Sequence, residues 1–324
     1  MKKVSVCVLS YNHEKYIRQC LDSIISQKVS FEYELIVSDD ASSDQTRLIL
    51  SEYQNRYPNI IKLIYNKTNI GISQNYQQTL LVAQGKYIAF CEGDDFWCDE
   101  TKLQTQVNFL DTHPDFGFVG TYNKLLEPSG KLLYDSYFSY NNMRLEGNWE
   151  LYDDIFYYAK FGPVCRTMTI CFRRSIIIPY LHITEVGNDL VLQTILSYNS
   201  KFARYKHAMA VYRLGSGISN NTFVFQKQLY YSDWYVKCRL TQKELFPNEC
   251  NWDEDELKDH IHYIYLKNAI NSLKFKEIQK IRESIKSIKF KDKNLYKYSS
   301  NICLVFCLYI YNKLLRIIRK DGDI

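Results

Sequence analysis

The sequence lacks any pair of cysteines in the CxxC spacing of a zinc site, although its 324 residues include ten cysteines. No pair of histidines lies near a cysteine to complete such a site. Most cysteines stand inside apolar runs, as Cys7 does in VSVCVLS, where they behave as small hydrophobic side chains. The apolar stretch at the start of the chain is too short for a secretory signal. We therefore expect a reducing, cytoplasmic setting.

Glycine is absent from SYNHEKY, the turn after the first apolar run, where dinucleotide-binding proteins carry GxGxxG. The phosphate-binding pattern GxxxxGK[ST] and the nucleophile pattern GxSxG are absent as well. The net charge is only +5, and the lysines crowd residues 267–297 instead of alternating with aromatics along a face. These absences argue against a dinucleotide-dependent enzyme, a P-loop enzyme, a serine hydrolase and a nucleic-acid-binding protein.

Strand-like and helix-like patterns alternate through the first hundred residues. Four apolar runs have the composition of buried strands, and segments with helical periodicity separate them. The predicted strands are 4–10, 33–38, 61–66 and 86–91, and the predicted helices are 14–26, a segment ending near 55, and 73–83. This alternation predicts an α/β fold with a mostly parallel sheet flanked by helices.

The second half of the chain has a looser pattern, typical of an α+β arrangement that continues the same sheet. After a predicted helix at 100–111 we expect strands in FGFVGTYNKLL and KLLYDSYF, a helix at 150–160, a strand at 166–172, a helix at 189–198 and one or two strands at 201–213. From residue 222 onwards the pattern is helical.

Polar side chains follow each of the first four predicted strands. They are Ser10, Tyr11 and Asn12 after the first, Asp39 and Asp40 after the second, Asn66 and Asn69 after the third, and Glu92, Asp94 and Asp95 after the fourth. Ligands of parallel sheets gather beyond the carboxyl ends of the strands, so these residues predict a site. Because carboxylates repel phosphate unless a divalent cation intervenes, the simplest ligand is a metal-chelated diphosphate.

Several ordered motifs resemble those of the family 2 glycosyltransferases, which have the GT-A fold. The motifs are VSVCVLSYNHEKYIRQCLDSI, YELIVSDDASSDQT, NIGISQN, GKYIAFCEGDDFW and GNDLVLQTIL, and the resemblance covers about residues 1–215. It implies transfer of a sugar from a nucleoside-diphosphate donor, usually UDP, to a saccharide or lipid-linked saccharide acceptor with inversion. It also implies a GT-A catalytic domain at 1–218, with a nucleotide-binding half at 1–100 and an acceptor-side half at 101–218.

The resemblance implies a role for each matching residue at the nucleotide. Asp40 matches the carboxylate that accepts a hydrogen bond from the base, and Asp39 supports its loop. Tyr11 and Asn12, which follow Ser10, match residues packed along the base, and Asn75 matches an asparagine that lines the pocket. Gln74 stands where many relatives have arginine.

The resemblance also implies the metal site and the general base. Glu92, Asp94 and Asp95 match the DxD-type motif, in which the first carboxylate faces the ribose and Asp94 or Asp95 binds Mn²⁺ or Mg²⁺. Glutamate stands here in place of the first aspartate. Asp189 matches the carboxylate that removes the proton from the acceptor hydroxyl, with Glu185 as the alternative.

Each of these residues has a structural alternative. DDASSD and GND are both good N-terminal caps for a helix, and EGDD alone could be a charged turn. Two other functions are also open. A sugar nucleotidyltransferase would carry a glycine-rich basic loop in place of SYNHEKY, and a non-catalytic sugar-nucleotide-binding scaffold would tolerate loss of the metal site and base.

The predicted helical C-terminal region, 219–324, ends in an amphipathic segment. ICLVFCLYIY gives ten apolar residues, about half of the roughly 20 needed to span a bilayer. The basic residues around it suit a helix at 301–320 lying on the inner face of the cell membrane. The alternatives are packing on its own domain or on a second subunit in a homodimer.

Overall fold

The computed structural model describes most of the first 253 residues. The described ranges are 2–135, 140, 143–216 and 225–253, of which 225–234 are described by their backbone alone. Within these ranges, none of the helices is both long and apolar enough to cross a membrane. The predicted membrane-contacting segment, 301–320, lies outside them.

The chain divides into two compact units. The first holds residues 1–221 and 237–252, and the second holds 222–236 and 253–324. All of the described strands lie in the first unit, and the described residues of the second unit are 225–236, which begin a helix, and residue 253. The domain boundary predicted at residue 218 remains a prediction.

Four parallel strands form the first half of the sheet, and three helices alternate with them along the chain, as predicted. The strands are β1 (Val4–Ser10), β2 (Tyr33–Asp39), β3 (Ile61–Tyr65) and β4 (Tyr87–Glu92), and the helices are α1 (Ile17–Ile25), α2 (Thr46–Arg56) and α3 (Ile72–Val82). Their order in the sheet is β3-β2-β1-β4. All seven residues of β1 are buried, because this strand pairs on both edges and lies inside the core.

The second half continues the sheet with shorter and mixed strands. They are β5 (Phe96–Trp97), β6 (Phe116–Leu126), β7 (Leu132–Tyr134), β8 (Arg144–Glu146), β9 (Trp149–Tyr152), β10 (Cys171–Arg173) and β11 (Lys201–Arg213). The order beyond β4 is β10-β6-β11-β9-β8, with β5 on β11 and β7 on β6. Since β10 is antiparallel to both neighbours while β11 is parallel to β6, the sheet is mixed but mostly parallel.

Helices flank this half and lead out of it. They are α4 (Lys102–Thr112), α5 (Phe156–Ala159), α6 (Arg174–Ile177), α7 (Asp189–Asn199) and α8 (Phe225–Leu245), with short 3-10 segments at Thr167–Thr169, Ile178–Tyr180 and Thr184–Gly187.

Helix α1 shows why the apolar periodicity predicted the fold well. Ile17, Cys20, Leu21 and Ile24 recur on one helical face and are fully buried in the same core as the side chains of β1. Burial of each large aliphatic side chain is worth about 1.5–3 kcal/mol. This face therefore fixes which side of the helix meets the sheet.

The strand predicted at 166–172 was largely wrong. A 3-10 turn occupies Thr167–Thr169, and only Cys171–Arg173 pair as a strand. The indole N–H of Trp97 donates to the carbonyl of Met168 at 2.9 Å, and the side chain of Gln106 donates to that of Thr169 at 2.7 Å. Side chains thus satisfy carbonyls that a strand would have used in its ladder.

The helix predicted at 150–160 was wrong in its first part. Residues Trp149–Tyr152 form β9, which pairs with β11, and the helix is only Phe156–Ala159. The carboxylate of Asp154 accepts a 2.9 Å hydrogen bond from the backbone N–H of Phe156, which starts the helix there.

Candidate active site

The carboxyl ends of β1 to β4 form one edge of the sheet because these strands are parallel. The backbone N–H of Asp40 donates to the carbonyl of Ser10 at 2.9 Å, and that of Asn66 donates to the carbonyl of Asp39 at 3.0 Å. These bonds keep the chain paired just beyond the strands. The predicted residues of the first four strand ends are therefore brought to one place.

Asp40 is buried and holds the loop that precedes α3. Its Oδ1 accepts hydrogen bonds from the backbone N–H of Ile70 at 2.9 Å and the side chain of Asn66 at 3.0 Å. Its Oδ2 accepts one from the backbone N–H of Gly71 at 2.9 Å. A carboxylate offers about four acceptor positions, so one remains for a ligand.

Asn75 lies behind Asp40 in the same hydrogen-bond network. Its Oδ1 accepts hydrogen bonds from the hydroxyl of Ser38 at 2.5 Å and from the side chain of Asn66 at 3.1 Å. Asn66 bridges Asn75 to Asp40, and Asn75 is 2 % exposed. Its position is that of a support for Asp40, and a direct contact with the nucleotide remains a prediction.

Asp39 points into the protein and ties β2 to helix α2. Its Oδ1 accepts from the guanidinium of Arg47 and, at 3.1 Å, from the backbone N–H of Ser42. Its Oδ2 accepts from the hydroxyl of Ser42. These contacts join the segment after β2 to helix α2, and the supporting role that the resemblance implies for Asp39 remains a prediction.

The end of β1 presents Tyr11 and a tight turn. Tyr11 is 37 % exposed, so its ring is accessible to a ligand. Asn12 has a positive φ of 55°, and its Oδ1 accepts from the backbone N–H of Ser43 at 2.8 Å. The hydroxyl of Ser10 is buried without a hydrogen-bond partner among the described residues. This turn therefore locks the end of β1 to the segment after β2.

Glu92, Asp94 and Asp95 lie together at the end of β4 with few donors to neutralise them. Oε1 of Glu92 accepts from the hydroxyl of Tyr76 at 2.8 Å, and Oδ2 of Asp94 accepts from the hydroxyl of Ser216 at 3.0 Å. Oε2 of Glu92 and Oδ2 of Asp95 are buried and have no hydrogen-bond partner in the described part of the chain.

Mutual repulsion and burial shift the acidity of this cluster. Burial, with the nearby charge of Asp94, raises the pKa of Glu92 to about 7, although the bond from Tyr76 opposes the shift. Burial and the charges of Asp94 and Glu92 raise the pKa of Asp95 well above its ordinary value. A positive charge at this point would relieve both shifts.

Arg213, at the end of β11, contacts the acidic cluster. Its backbone N–H donates to Oδ1 of Asp95 at 2.7 Å, and its Nε donates to the carbonyl of Asp94 at 2.9 Å. The guanidinium also lies over the ring of Tyr16, 4.7 Å from its centroid. These contacts could not be predicted, because nothing in the stretch VYRLGSG around Arg213 indicates contact with a residue 118 positions away.

His13 lies under the glycine between Glu92 and Asp94, and the sequence did not point to it. A Cβ added to Gly93 would approach Nδ1 of His13 to 2.7 Å, so only glycine fits there. Burial lowers the pKa of His13, and the nearby charges of Asp94 and Asp44 oppose this shift. The one sequence signal was its place among the polar residues after β1.

The donor set fits a divalent cation bound partly by the substrate. Unpartnered carboxylate oxygens with raised pKa values are hard oxygen donors of the kind that Mn²⁺ and Mg²⁺ prefer. Among the described residues, no group of three or more His, Cys, Asp or Glu side chains is placed to hold a metal ion without other ligands. Mg²⁺ sites of this class use one or two carboxylates and complete their coordination with phosphate oxygens and water.

Asp189 stands in the first turn of α7, where the N-terminal cap is its neighbour. Oδ1 of Asn188 accepts from the backbone N–H of Leu190 at 2.8 Å, so the capping alternative for Asp189 belongs to Asn188. Oδ1 of Asp189 accepts from the same N–H at 2.8 Å. Burial raises the pKa of Asp189, although the Leu190 hydrogen bond and the charge of Arg166 oppose this.

The loop before Asp189 is fixed against helix α3. A Cβ on Gly187 would approach the carbonyl oxygen of Ser73 to 2.1 Å and Cβ of Tyr76 to 2.7 Å. Tyr76 in turn bonds Glu92, and the charge of Asp189 contributes to the raised pKa of Glu92. The predicted base and the acidic cluster are thus electrostatic neighbours.

Glu185, the alternative base, is engaged elsewhere. Its carboxylate forms an ion pair with Lys237 of α8, and its side chain is 13 % exposed. This ion pair occupies the carboxylate of Glu185, whereas Oδ2 of Asp189 has no hydrogen bond to the described residues. The geometry favours Asp189 over Glu185.

Comparison with known proteins decides the family. The family model described as glycosyl transferase family 2 matches residues 5–173, more than half of the chain. The chain is a member of glycosyl transferase family 2. The resemblance drawn from the motifs is therefore confirmed.

Two relatives of this family 2 chain show how far the sequence likeness extends. An uncharacterised protein of Mycobacterium tuberculosis is 46% identical over 112 residues, which are 35% of this chain and 32% of that protein. The poly(ribitol-phosphate) beta-N-acetylglucosaminyltransferase TarS of Staphylococcus aureus is 36% identical over 115 residues, 35% of this chain and 20% of TarS. The matched segment is thus a third or less of each relative's length.

Solved structures confirm the GT-A fold. TarS residues 1–349 in complex with UDP-GlcNAc align with a TM-score of 0.55 and 20% identity, covering 85% of this chain and 77% of that one. The mannosyltransferase PcManGT of Pyrobaculum calidifontis, in complex with GDP-Man and Mn²⁺, aligns with a TM-score of 0.52 and 15% identity, covering 96% of this chain and 87% of that one. At these identities the likeness concerns the fold.

Proposed function

We propose that this family 2 chain transfers a sugar from a UDP-sugar to an acceptor hydroxyl with inversion, in the assembly of a surface polysaccharide. Two findings support the donor and the pathway class. A structural neighbour, TarS, a poly(ribitol-phosphate) beta-N-acetylglucosaminyltransferase, is solved with UDP-GlcNAc, and a sequence relative, GgaB of Bacillus subtilis, is a minor teichoic acid biosynthesis protein. The acceptor would be a saccharide or a lipid-linked saccharide.

One observation carries the proposal. Asp189 has one oxygen, Oδ2, with no hydrogen bond to the described residues, and its charge is felt by Glu92 at the end of β4. The proposed proton acceptor therefore lies near the cluster suited to a diphosphate. A single displacement needs this pair, because the acceptor must lose a proton while the diphosphate departs.

On the donor side the chain would hold the nucleotide beyond β1 and β2. The exposed ring of Tyr11 offers a face to the base, and the remaining acceptor position of Asp40 suits an imide N–H such as that of uracil. Because Ile70, Gly71 and Asn66 hold the carboxylate of Asp40, it is oriented before the donor binds. Glu92 would then face the ribose.

Asp95 would be the main protein ligand of the divalent cation, with Asp94 beside it. Its Oδ2 is buried without a partner, whereas Oδ2 of Asp94 already accepts from Ser216. When bound, the metal would stabilise negative charge on the departing diphosphate. Arg213 fixes both aspartates through the carbonyl of Asp94 and Oδ1 of Asp95.

On the acceptor side Asp189 would remove the proton. Its raised pKa makes it a stronger base than an ordinary aspartate. Attack from the side opposite the leaving diphosphate gives inversion. The chain needs no covalent intermediate for this route.

The experiment that tests the proposal combines donor binding with turnover. A thermal-shift screen of UDP- and GDP-sugars with Mn²⁺ should raise the Tm of the full chain for a UDP-sugar. Asp189→Asn should keep that shift and lose transfer to an acceptor, and NMR of the wild-type product should show the inverted anomer. Donor binding by the wild type with no transfer to any acceptor would indicate a non-catalytic scaffold instead.

A further inference from the structure

A second cavity lies in the acceptor-side half, between strands β6, β7, β9 and β11. It has a volume of about 270 Å³. This is just below the range of about 300–1,000 Å³ for pockets that hold drug-sized ligands, so it matches one sugar ring better than a chain of them. Nothing in the displacement mechanism uses this cavity.

The floor of the cavity is a buried ion pair. Nε of Arg204 donates to Oε2 of Glu150 at 2.7 Å, and the two residues are 4 % and 3 % exposed. The hydroxyls of Tyr122 and Tyr152 donate to the same carboxylate at 2.8 and 3.2 Å. A buried ion pair adds little net stability, because desolvation of the two charges offsets their attraction. Here the pair presents fixed hydrogen-bonding groups to the cavity.

Tyrosine rings form much of the wall. The guanidinium of Arg204 lies 5.0 Å from the ring centroid of Tyr122 and 5.8 Å from that of Tyr140. Tyr134 also lines the cavity and is 67 % exposed, so in the described part of the chain the cavity reaches solvent beside it. Aromatic faces with a few placed polar groups suit a ligand that is apolar on its ring face and polar at its rim.

Two contacts join this cavity to the candidate base. Asp135, on the cavity wall, forms a 3.0 Å ion pair with Arg166, whose charge acts on Asp189. Oε1 of Gln193 on helix α7, which begins at Asp189, accepts from the backbone N–H of Cys165, another wall residue, at 3.1 Å. The cavity wall is therefore linked to helix α7 by a hydrogen bond and to Asp189 through the charge of Arg166.

We propose that the cavity binds one neutral pyranose ring of the acceptor saccharide and so selects the acceptor. Arg204 is paired with Glu150 and Arg166 with Asp135, so an acidic sugar would find no unpaired positive charge among the described residues of the cavity. Ring hydroxyls can bond the oxygens of Glu150 and Asn123, and the C–H face of the ring can pack on tyrosine. That the bound saccharide is the acceptor rests on the proposed function, but saccharide binding in the cavity is testable without a sugar donor.

The binding test uses the full chain and three simple probes: methyl glucoside, methyl galactoside and methyl glucuronide. Saturation-transfer NMR should detect a neutral glycoside, and Tyr134→Ala should weaken its binding about five- to tenfold, the loss expected for one aromatic contact. Tyr157→Ala is the matched control, since Tyr157 is 62 % exposed but lies outside the cavity. Tyr122→Phe should weaken binding while keeping the ring.

The outcomes separate this inference from the proposed function. The inference would be overturned by equal glycoside binding in wild type and Tyr134→Ala or by tighter binding of the glucuronide. It would also be overturned if the NMR experiment detected no neutral glycoside, which would mean that the cavity holds only water. Hydrolysis of the UDP-sugar without a glycoside is measured on the same variants and tests the donor site alone. In full transfer assays Tyr134→Ala should raise the KM of the acceptor and leave the KM of the donor unchanged.

Discussion

Tyr76 donates a 2.8 Å hydrogen bond from its hydroxyl to Oε1 of Glu92, and this bond connects helix α3 to the acidic end of β4. Tyr76 is 3 % exposed and also packs against Gly187, in the loop that leads to Asp189. One buried side chain thus touches both the proposed diphosphate end of the site and the support of the proposed base. A cleft held in this way is organised before substrate binds.

Tyr76→Phe should therefore impair catalysis beyond its cost in stability. Loss of the hydroxyl leaves Oε1 of Glu92 without its donor and raises the pKa of Glu92 further, so more of it is protonated at neutral pH. We expect a stability loss of about 1–3 kcal/mol and a kcat/KM about tenfold lower.

Tyr53→Phe is the matched control for that change. The hydroxyl of Tyr53 donates to Oδ1 of Asp22 at 2.7 Å, and Tyr53 is also buried, but it lies away from the strand ends. Urea unfolding should show similar losses for both variants, and steady-state kinetics should show a loss only for Tyr76→Phe. Equal kcat/KM values would contradict the role of Tyr76.

Asp95→Asn should make the protein more stable and abolish its activity. Its carboxylate is buried beside two others, and its raised pKa shows that its charge is unfavourable without a cation. In metal-free buffer at neutral pH, the amide should raise the free energy of unfolding by about 1 kcal/mol while Mn²⁺-dependent transfer is lost. Asp94→Asn should retain more Mn²⁺ affinity, measured by calorimetry.

Asp99→Asn is the control, because it should change the free energy of unfolding in the opposite direction. Burial alone would raise the pKa of Asp99, but hydrogen bonds from Thr101 hold it below the ordinary value. This charge is therefore favourable, and its removal should lower the free energy of unfolding. A loss of stability in Asp95→Asn as well would count against the account of the acidic cluster.

The sequence predicted the sheet well because burial decides it. A strand such as β1, buried at every position, is apolar except at Ser5 and Ser10, and its pattern can be recognised without knowledge of its neighbours. The polar residues at the strand ends were recognisable for a similar reason, since Asp40, Asp94 and Asp95 interrupt such runs abruptly.

The partners of those residues could not be predicted, because they come from distant or featureless positions. Asp40 is held by the backbone N–H groups of Ile70 and Gly71, which leave no side-chain signal. Oδ1 of Asp95 accepts from the backbone of Arg213, 118 residues away. The 3-10 turn at Thr167–Thr169 was mistaken for a strand because the side chains that donate hydrogen bonds to its carbonyl groups also come from distant positions in the sequence.

Arg166→Gln should move the acid limb of the pH profile. A general base works when deprotonated, so transfer should rise with pH through the raised pKa of Asp189. The charge of Arg166 opposes that rise in pKa, and its removal should shift the acid limb of kcat/KM to higher pH. Arg144→Gln, which alters an exposed arginine paired with Asp153, should leave the limb in place. An unchanged limb in Arg166→Gln would separate Arg166 from the base.

Gly187→Ala should destabilise the loop that carries the base. The added methyl would meet the backbone carbonyl of Ser73 at 2.1 Å, a contact that cannot be relieved by a side-chain rotation. We expect a loss of about 1–3 kcal/mol in urea unfolding and a lower kcat, because the loop must move away from α3. Gly162→Ala is the matched control, since its Cβ would meet nothing within 4 Å. If the two alanine variants were equally stable and equally active, packing of the loop on α3 would not determine the position of Asp189.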